Sequence, residues 1–289
     1  MKLIIEPSTK KIQYKNNLDG LILSLKDYSV QSSITYTLEE IKKVIEENPT
    51  LEIFVNMNKT FLNKEIKELE NTLLELDKLK IQGILFYDLA IVKLKKDHSL
   101  KIDLVWNQTH MVNNYKTCNY YYEKGVKYAL LGKEITEEEI IEIKAKSQII
   151  PLVEVVSYPS VAFSRRKLIT NYYKDIEKTP KKELNIQEKI TNKNYLLTED
   201  KNGTSFFLMD LMNATSIIKN LYEKDFPYIV MREYKINSNL FEELVKDTKK
   251  YIEGNCQEEA YINKYKKLGS NTNFFHQKTV YQVKKNEKN

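Results

Sequence analysis

Ser164, Arg165, Arg166 and Lys167 stand side by side shortly after the Val-rich apolar run PLVEVV at 151–156. Such a run reads as a buried strand. Tyr158-Pro159-Ser160 turns the chain out of it, because proline removes a ladder donor. Three cations just past a buried strand are costly to bury unpaired, so Arg165, Arg166 and Lys167 point to an anionic partner facing them. The plainer reading is a solvated basic turn. Glu134 and Glu154 are carboxylates able to act as acid or base, or to pair structurally with Arg165 or Arg166 across a shared rim. Leu168, Ile169, Tyr172 and Tyr173 follow at helical spacing and set a helix behind the cations.

Other chemistries lack their residues. His98, His110 and His276 are isolated, with no His, Cys or carboxylate at metal-ligand spacing on a shared helix. The two cysteines, Cys118 and Cys256, lie far apart without a CxxC, which argues against a disulfide scaffold, a structural zinc site and a self-contained iron–sulfur site. There is no GxSxG, and Ser160 and Ser164 have no evident base. No strand is followed by a GxGxxG or P-loop.

The elements that must position these residues alternate along the chain. Strands are predicted at 2–6, 20–25, 51–57, 83–87, 101–106, 128–131 and 149–156. Helices are predicted at 37–47, 62–79, 108–124 and 136–146, with capping boxes from Thr37/Glu40 and Thr136/Glu139. Strand and helix repeating every 25 to 30 residues imply parallel strands with crossover helices, and the repeat number favours an α/β fold of the TIM-like (β/α) barrel type. In a barrel, functional residues collect at the C-terminal ends of strands. That rim would gather Glu6, Asn56, Asn58, Asp88, Asn107, Gln108, Glu134 and the 157–167 turn. The barrel domain is expected over 1–235. It would contain a polar surface connection at 174–194 and a hairpin at 195–208, turned by Lys201-Asn202-Gly203. A helix is predicted at 210–222, and the run YIVMREY at 228–234 would close the barrel. Residues 236–289 would add C-terminal helices and a basic tail packed on the barrel, with 274–285 alternating like a short strand.

Charge is placed unevenly along the 289 residues. From 264 to the end there are seven Lys and one Glu, and 165–193 holds nine basic and four acidic residues, whereas 1–263 balances overall. Basic regions attract polyanions such as nucleic acid. No apolar run reaches about 18 residues, so no spanning helix is expected. The first residues, MKLIIEPS, are too quickly polar for a signal peptide. A cytoplasmic location is expected.

Four segments, in order, resemble the collagenase-like peptidase family (peptidase family U-thirty-two). They are NQTHMVNN followed by GVKYALLGKEITEEEI, VEVVSY followed by FSRRKLITNYY, YLLTEDKNGTSFF, and FFHQKTVYQVKK. The last resembles the end of the shorter, firmicute-type members, and the chain is similar to the first of a pair linked to tRNA wobble-uridine hydroxylation. The resemblance implies a TIM-type barrel and, from the family's name, a peptidase. Its better-understood branches imply hydroxylation of RNA or of a quinone precursor with a cysteine-held iron–sulfur cluster. Here Ser160–Ser164 and Lys167 replace the cysteine-bearing pattern, and Met212 stands where a further Cys is expected. The implied cofactor is therefore none on this chain alone, with an iron–sulfur cluster on a Cys-rich paralogue in a heteromer. tRNA and a small carboxylate donor are the other implied partners. The matching positions are Asn113, Glu134, Glu154, Arg165 and Arg166, with binding of substrate or anion as their implied role. A hydrolase acting on peptides, and a non-catalytic binding protein on the same fold, remain the alternative functions.

Overall fold

The computed structural model describes residues 1–108, 110–269 and 271–277. Eight parallel strands form the barrel: β1 (Lys2–Glu6), β2 (Gly20–Ser24), β3 (Glu52–Met57), β4 (Gly83–Phe86), β5 (Leu104–Trp106), β6 (Tyr128–Leu130), β7 (Ile150–Ser157) and the last to be made, Tyr228–Arg232. Each of the first seven pairs with the next. The last pairs with both β7 and β1, which closes the ring. The TIM-like expectation therefore holds. Near-continuous apolar runs such as LIIE and GLILS are what strands buried on both faces require.

Side chains alternate across each strand. Ile4, Ile22, Phe54, Leu85, Val105, Leu152 and Val230 fill the barrel interior, while Leu3, Ile5, Leu21, Leu23, Ile53 and Val55 face the surrounding helices. Those helices are α1 (Leu38–Glu47), α2 (Ile66–Leu76), α3 (Ala90–Asp97), α4 (Tyr115–Glu123) and α5 (Glu137–Lys146). Both predicted capping boxes are present, each with the Thr hydroxyl accepting from the Glu amide and the Glu carboxylate accepting from the Thr amide. α2 is shorter than predicted, preceded by a 3-10 turn. The helix expected over 108–124 begins at 115, where Asn114 caps it, and α3 was not anticipated.

Between β7 and the closing strand the chain builds a second, antiparallel sheet: β8 (Ser160–Ser164), β9 (Glu183–Gln187), β10 (Asn194–Asp200) and β11 (Gly203–Leu208), in the order β8-β11-β10-β9. The β10–β11 hairpin was expected. β8 was not, and β9 lies inside the 174–194 stretch read as a connection. α6 (Leu168–Asp175) packs Ile169 and Tyr173 on Leu197, giving this insert a small core of its own. The predicted helix at 210–222 is instead β12 (Met212–Asn213), a 3-10 turn and α7 (Ile218–Glu223). The closing strand is β13. α8 (Ser238–Ile252) and α9 (Glu258–Tyr265) then bury Phe241, Leu244, Tyr261 and Tyr265 in the main core. Residues 271–277 are a bridge and turn, and the remainder of the expected 274–285 strand lies outside the described residues.

Candidate functional site at the barrel mouth

The strand period selects the site. Glu6 shares the inward parity of Ile4, Ser24 that of Ile22, Asn56 that of Phe54, Glu154 that of Leu152 and Arg232 that of Val230. At the C-terminal ends of the strands the apolar filling thus gives way to polar groups. Register brings them together: Glu6 lies beside Arg232, Ser24 beside Asn56, and Val230 beside Glu154 with an irregularity just after it.

Arg232 is the centre. Its Nε donates to Glu154 Oε2 at 2.7 Å, and its NH1 donates to Glu6 Oε2. Lys133, on the loop after β6, places Nζ 2.5 Å from Glu154 Oε1. Ser24 Oγ donates to Glu6 Oε1 at 3.3 Å, and Asn56 Nδ2 donates to Ser24 Oγ at 3.0 Å. The Asn56 Oδ1 atom is buried with no hydrogen-bond partner. Two carboxylates and two cations balance, as burial of ions requires. Burial opposes ionisation of Glu154, but Arg232 and Lys133 outweigh it and hold its carboxyl down at about 2. Glu6 is raised, because burial exceeds the help it draws from Arg232. Burial lowers Lys133 against the pull of Glu154. Burial works against Arg232 as well, yet Glu154 and Glu6 raise it. Burial thus opposes the charged forms of Glu6 and Lys133, the two members whose partners do not outweigh it.

Above this set lies a cavity of about 50 Å3, bounded by Gln31, Asn58, Asn107 and the rings of Tyr87, Tyr158 and Tyr234. It has room for a few waters or a small polar group. Larger recesses of about 330 and 360 Å3 adjoin it, sharing Lys133 and Ser160 with one and Gln31, Asn58 and Tyr87 with the other. The inserted sheet roofs the mouth, with the Phe207 ring tilted against Tyr234 at a centroid distance of 4.4 Å.

The residues singled out from sequence are divided by the structure. Glu154 is in the charged set, but its partners are Arg232 and Lys133 rather than Arg165 or Arg166: it points into the barrel, whereas the basic turn belongs to the roof. Glu134 lies on the rim with Oε1 3.3 Å from His110 Nδ1. Asn113 donates to the His110 carbonyl at 2.7 Å. Arg165 approaches Glu65 at 3.8 Å and lines the larger recess. Arg166 is exposed, and its carbonyl accepts from Thr204 Oγ1 at 2.8 Å. Lys167 donates to the Asp200 carbonyl in the hairpin. Arg232 and Lys133 were missed. The available signal was a single Arg in the otherwise apolar run YIVMR, at inward parity in the closing strand.

The model of Peptidase family U32 matches residues 6–279. The chain belongs to peptidase family U32. This U32 chain is 26% identical over 186 residues to tRNA hydroxylation protein P2 of Bacillus subtilis (strain 168), across 61% of its own length and 60% of that protein. It is 24% identical over 169 residues to tRNA hydroxylation protein P1 of the same organism, across 56% of its own length and 39% of that protein. The U32 chain thus aligns with less than two thirds of either relative, and with both members of the pair rather than the first alone. Among solved structures it is similar to orotidine 5'-monophosphate decarboxylase of Methanocaldococcus jannaschii, with TM-score 0.49, 11% identity, and 87% and 98% of the two chains covered.

An iron–sulfur cluster does not fit this chain's thiols. Cys118 is buried in α4, where burial pushes its thiol up to about 12, and Cys256 lies between α8 and α9. Neither lines the mouth or its recesses, and a cluster needs several thiolates at one place. Among the described residues no group of three or more His, Cys, Asp and Glu could hold a metal ion, and no helix is long and apolar enough to cross a membrane.

Proposed function

We propose that this U32 protein is a cluster-less subunit of a tRNA wobble-uridine hydroxylation system, working in the cytoplasm with a Cys-rich paralogue that carries the iron–sulfur cluster. The observation that carries the reading is the charge-balanced set Glu6, Glu154, Lys133 and Arg232. It sits at the barrel end where this fold places its chemistry, beneath an amide- and tyrosine-lined cavity. The similarity to two tRNA hydroxylation proteins supplies the reaction class. The mouth offers donors and acceptors to a small polar ligand, including a carboxylate donor that Lys133 and Arg232 could meet by exchanging partners. The rim residues Asn113, Glu134, Arg165, Arg166 and Lys167 would bind substrate at its edge.

The test is deletion of the gene in its host followed by mass analysis of tRNA wobble uridines. Loss of the hydroxylated nucleoside and its derivatives is expected, with restoration by the intact gene but not by Arg232→Ala. A tagged chain should co-purify with the Cys-rich paralogue. An unchanged wobble-uridine profile would remove this reading.

A further inference from the structure

Among the described residues outside the insert, about half of the cations have carboxylate partners. At the N-terminal end of the barrel Lys2 pairs with Glu52, Lys127 with Asp103 and Lys249 with Asp19. On the outer helices and the turn after α2, Lys67, Lys78, Lys93, Lys146 and Lys246 pair with acids three or four residues away. The insert over the mouth differs. Arg166 at its entry, Lys174 and Lys178 at the end of α6, Lys181 and Lys182 leading into β9, and Lys189 and Lys193 in the β9–β10 turn are all exposed. Among the described residues none of these seven forms an ion pair; the ion pairs of the insert are Arg165 with Glu65, Lys201 with Asp27 and Glu183 with Lys235.

Four of the insert's six carboxylates are committed elsewhere, Asp200 to the Asn202 amide among them, while Asp175 and Glu177 stand exposed beside Lys174 and Lys178. Glu183 holds Lys235, Glu188 accepts from the Ile190 and Thr191 amides, and Glu199 caps α6 by accepting from the Ile169 and Thr170 amides. Seven unmatched cations distributed over both ends of α6, the approach to β9 and the β9–β10 turn do not suit one phosphate. They suit a chain of regularly spaced negative charges. One of them leads inward: Lys193 lines one recess with Lys133, while the ion-paired Arg165 lines the other.

We propose that the inserted sheet and α6 are the surface that grips the backbone of an RNA strand and delivers it to the barrel mouth. The proposal rests on the tRNA reading above and names the surface that reading leaves open. Half-exposed Tyr172, on α6 beside Lys174, offers a ring on which an unpaired base can stack.

The full chain and its variants are titrated with bulk host tRNA by fluorescence anisotropy at about 50 and 200 mM salt. Lys181→Glu with Lys182→Glu, and Lys189→Glu with Lys193→Glu, should each raise Kd about tenfold or more and lower the salt slope by about 1.4, the value for two lost single-strand phosphate contacts. The same pairs changed to Gln, with unaltered melting, should weaken binding in the same direction. Lys78→Glu with Lys93→Glu imposes the same change in net charge on the outer layer, away from the insert, and should shift Kd less than about twofold. Equal loss in that control, undiminished binding by the insert variants, tighter attachment to phosphatidylserine vesicles than to tRNA, or no tRNA binding at all would each overturn the proposal. The two ideas fail separately. Normal binding by the insert variants with wobble uridines lost on deletion sinks the surface alone. Insert-dependent binding with an unchanged uridine profile sinks the tRNA-hydroxylation reading alone.

Discussion

Arg232 holds two buried carboxylates at once, so its removal leaves Glu6 without a cation and Glu154 with Lys133 alone. Arg232→Ala is expected to destabilise the protein by about 3–5 kcal/mol in urea denaturation, the usual cost of leaving a buried ion without its partner. Arg232→Lys should recover part of this, since it keeps the charge but not the fork that reaches Glu6 and Glu154 together. Glu154 gives a second expectation. Its folded value, about 2, lies below the ordinary 4.5, so its ionised form stabilises the fold above pH 4.5 and this contribution fades as pH falls from 4.5 toward 2. The displacement corresponds to roughly 3 kcal/mol. Glu6, being raised, works in the opposite direction, and comparison with Glu154→Gln isolates the Glu154 contribution. The stability gap between wild type and Glu154→Gln should narrow between pH 6 and pH 3, and a constant gap would contradict the account. Glu154 was legible in the sequence as a lone acid in a Val run. Lys133 was not, because a lysine after a short strand looks like any solvated loop residue until the loop folds over the barrel end.

Elements with strong apolar periods or capping boxes were legible; those whose stability comes from neighbours were not. β1, β2, β3, α1 and α5 could be read directly. α3 was lost because its AIVKLKKD sequence is short and three of its eight residues are lysine. β8 and β9 were lost because they are largely exposed and their apolar alternation, Val161/Phe163 and Leu184/Ile186, spans only two residues each: they exist as strands through pairing to β11 and β10. The hairpin that anchors them depends on Gly203. Its φ of +147° is in a region side chains avoid, and an added Cβ would collide with the Ser164 carbonyl oxygen on β8. Gly203→Ala should therefore loosen the insert by about 1–3 kcal/mol while leaving the barrel intact. Limited proteolysis should speed cleavage within 178–202 without changing the far-UV signature of the barrel, and cleavage at the wild-type rate would show that β8 yields without cost.

At the scale of the molecule, a closed barrel with a continuous core carries an insert whose own buried core is Ile169, Tyr173 and Leu197. Apolar burial sets how much free energy opposes local opening. Amides of β9 and β10 should exchange with solvent through openings well below the global unfolding free energy, whereas those of β1, β3 and β13 should exchange only on global unfolding. Uniform protection across both would mean that the roof and barrel unfold as one unit. The position of β13 has a consequence for synthesis. β1 leaves the ribosome first, yet one of its two neighbours is made last: Glu6 and Arg232 are 226 residues apart. Until residue 232 emerges, β1 and β7 both present bare edges of backbone donors and acceptors, able to capture a strand from another nascent chain. The insert must be synthesised in that interval, so each residue of roof lengthens the exposure of both edges. A ribosome stalled before residue 228 would release a chain with two open edges, and synthesis of one five-residue strand removes both.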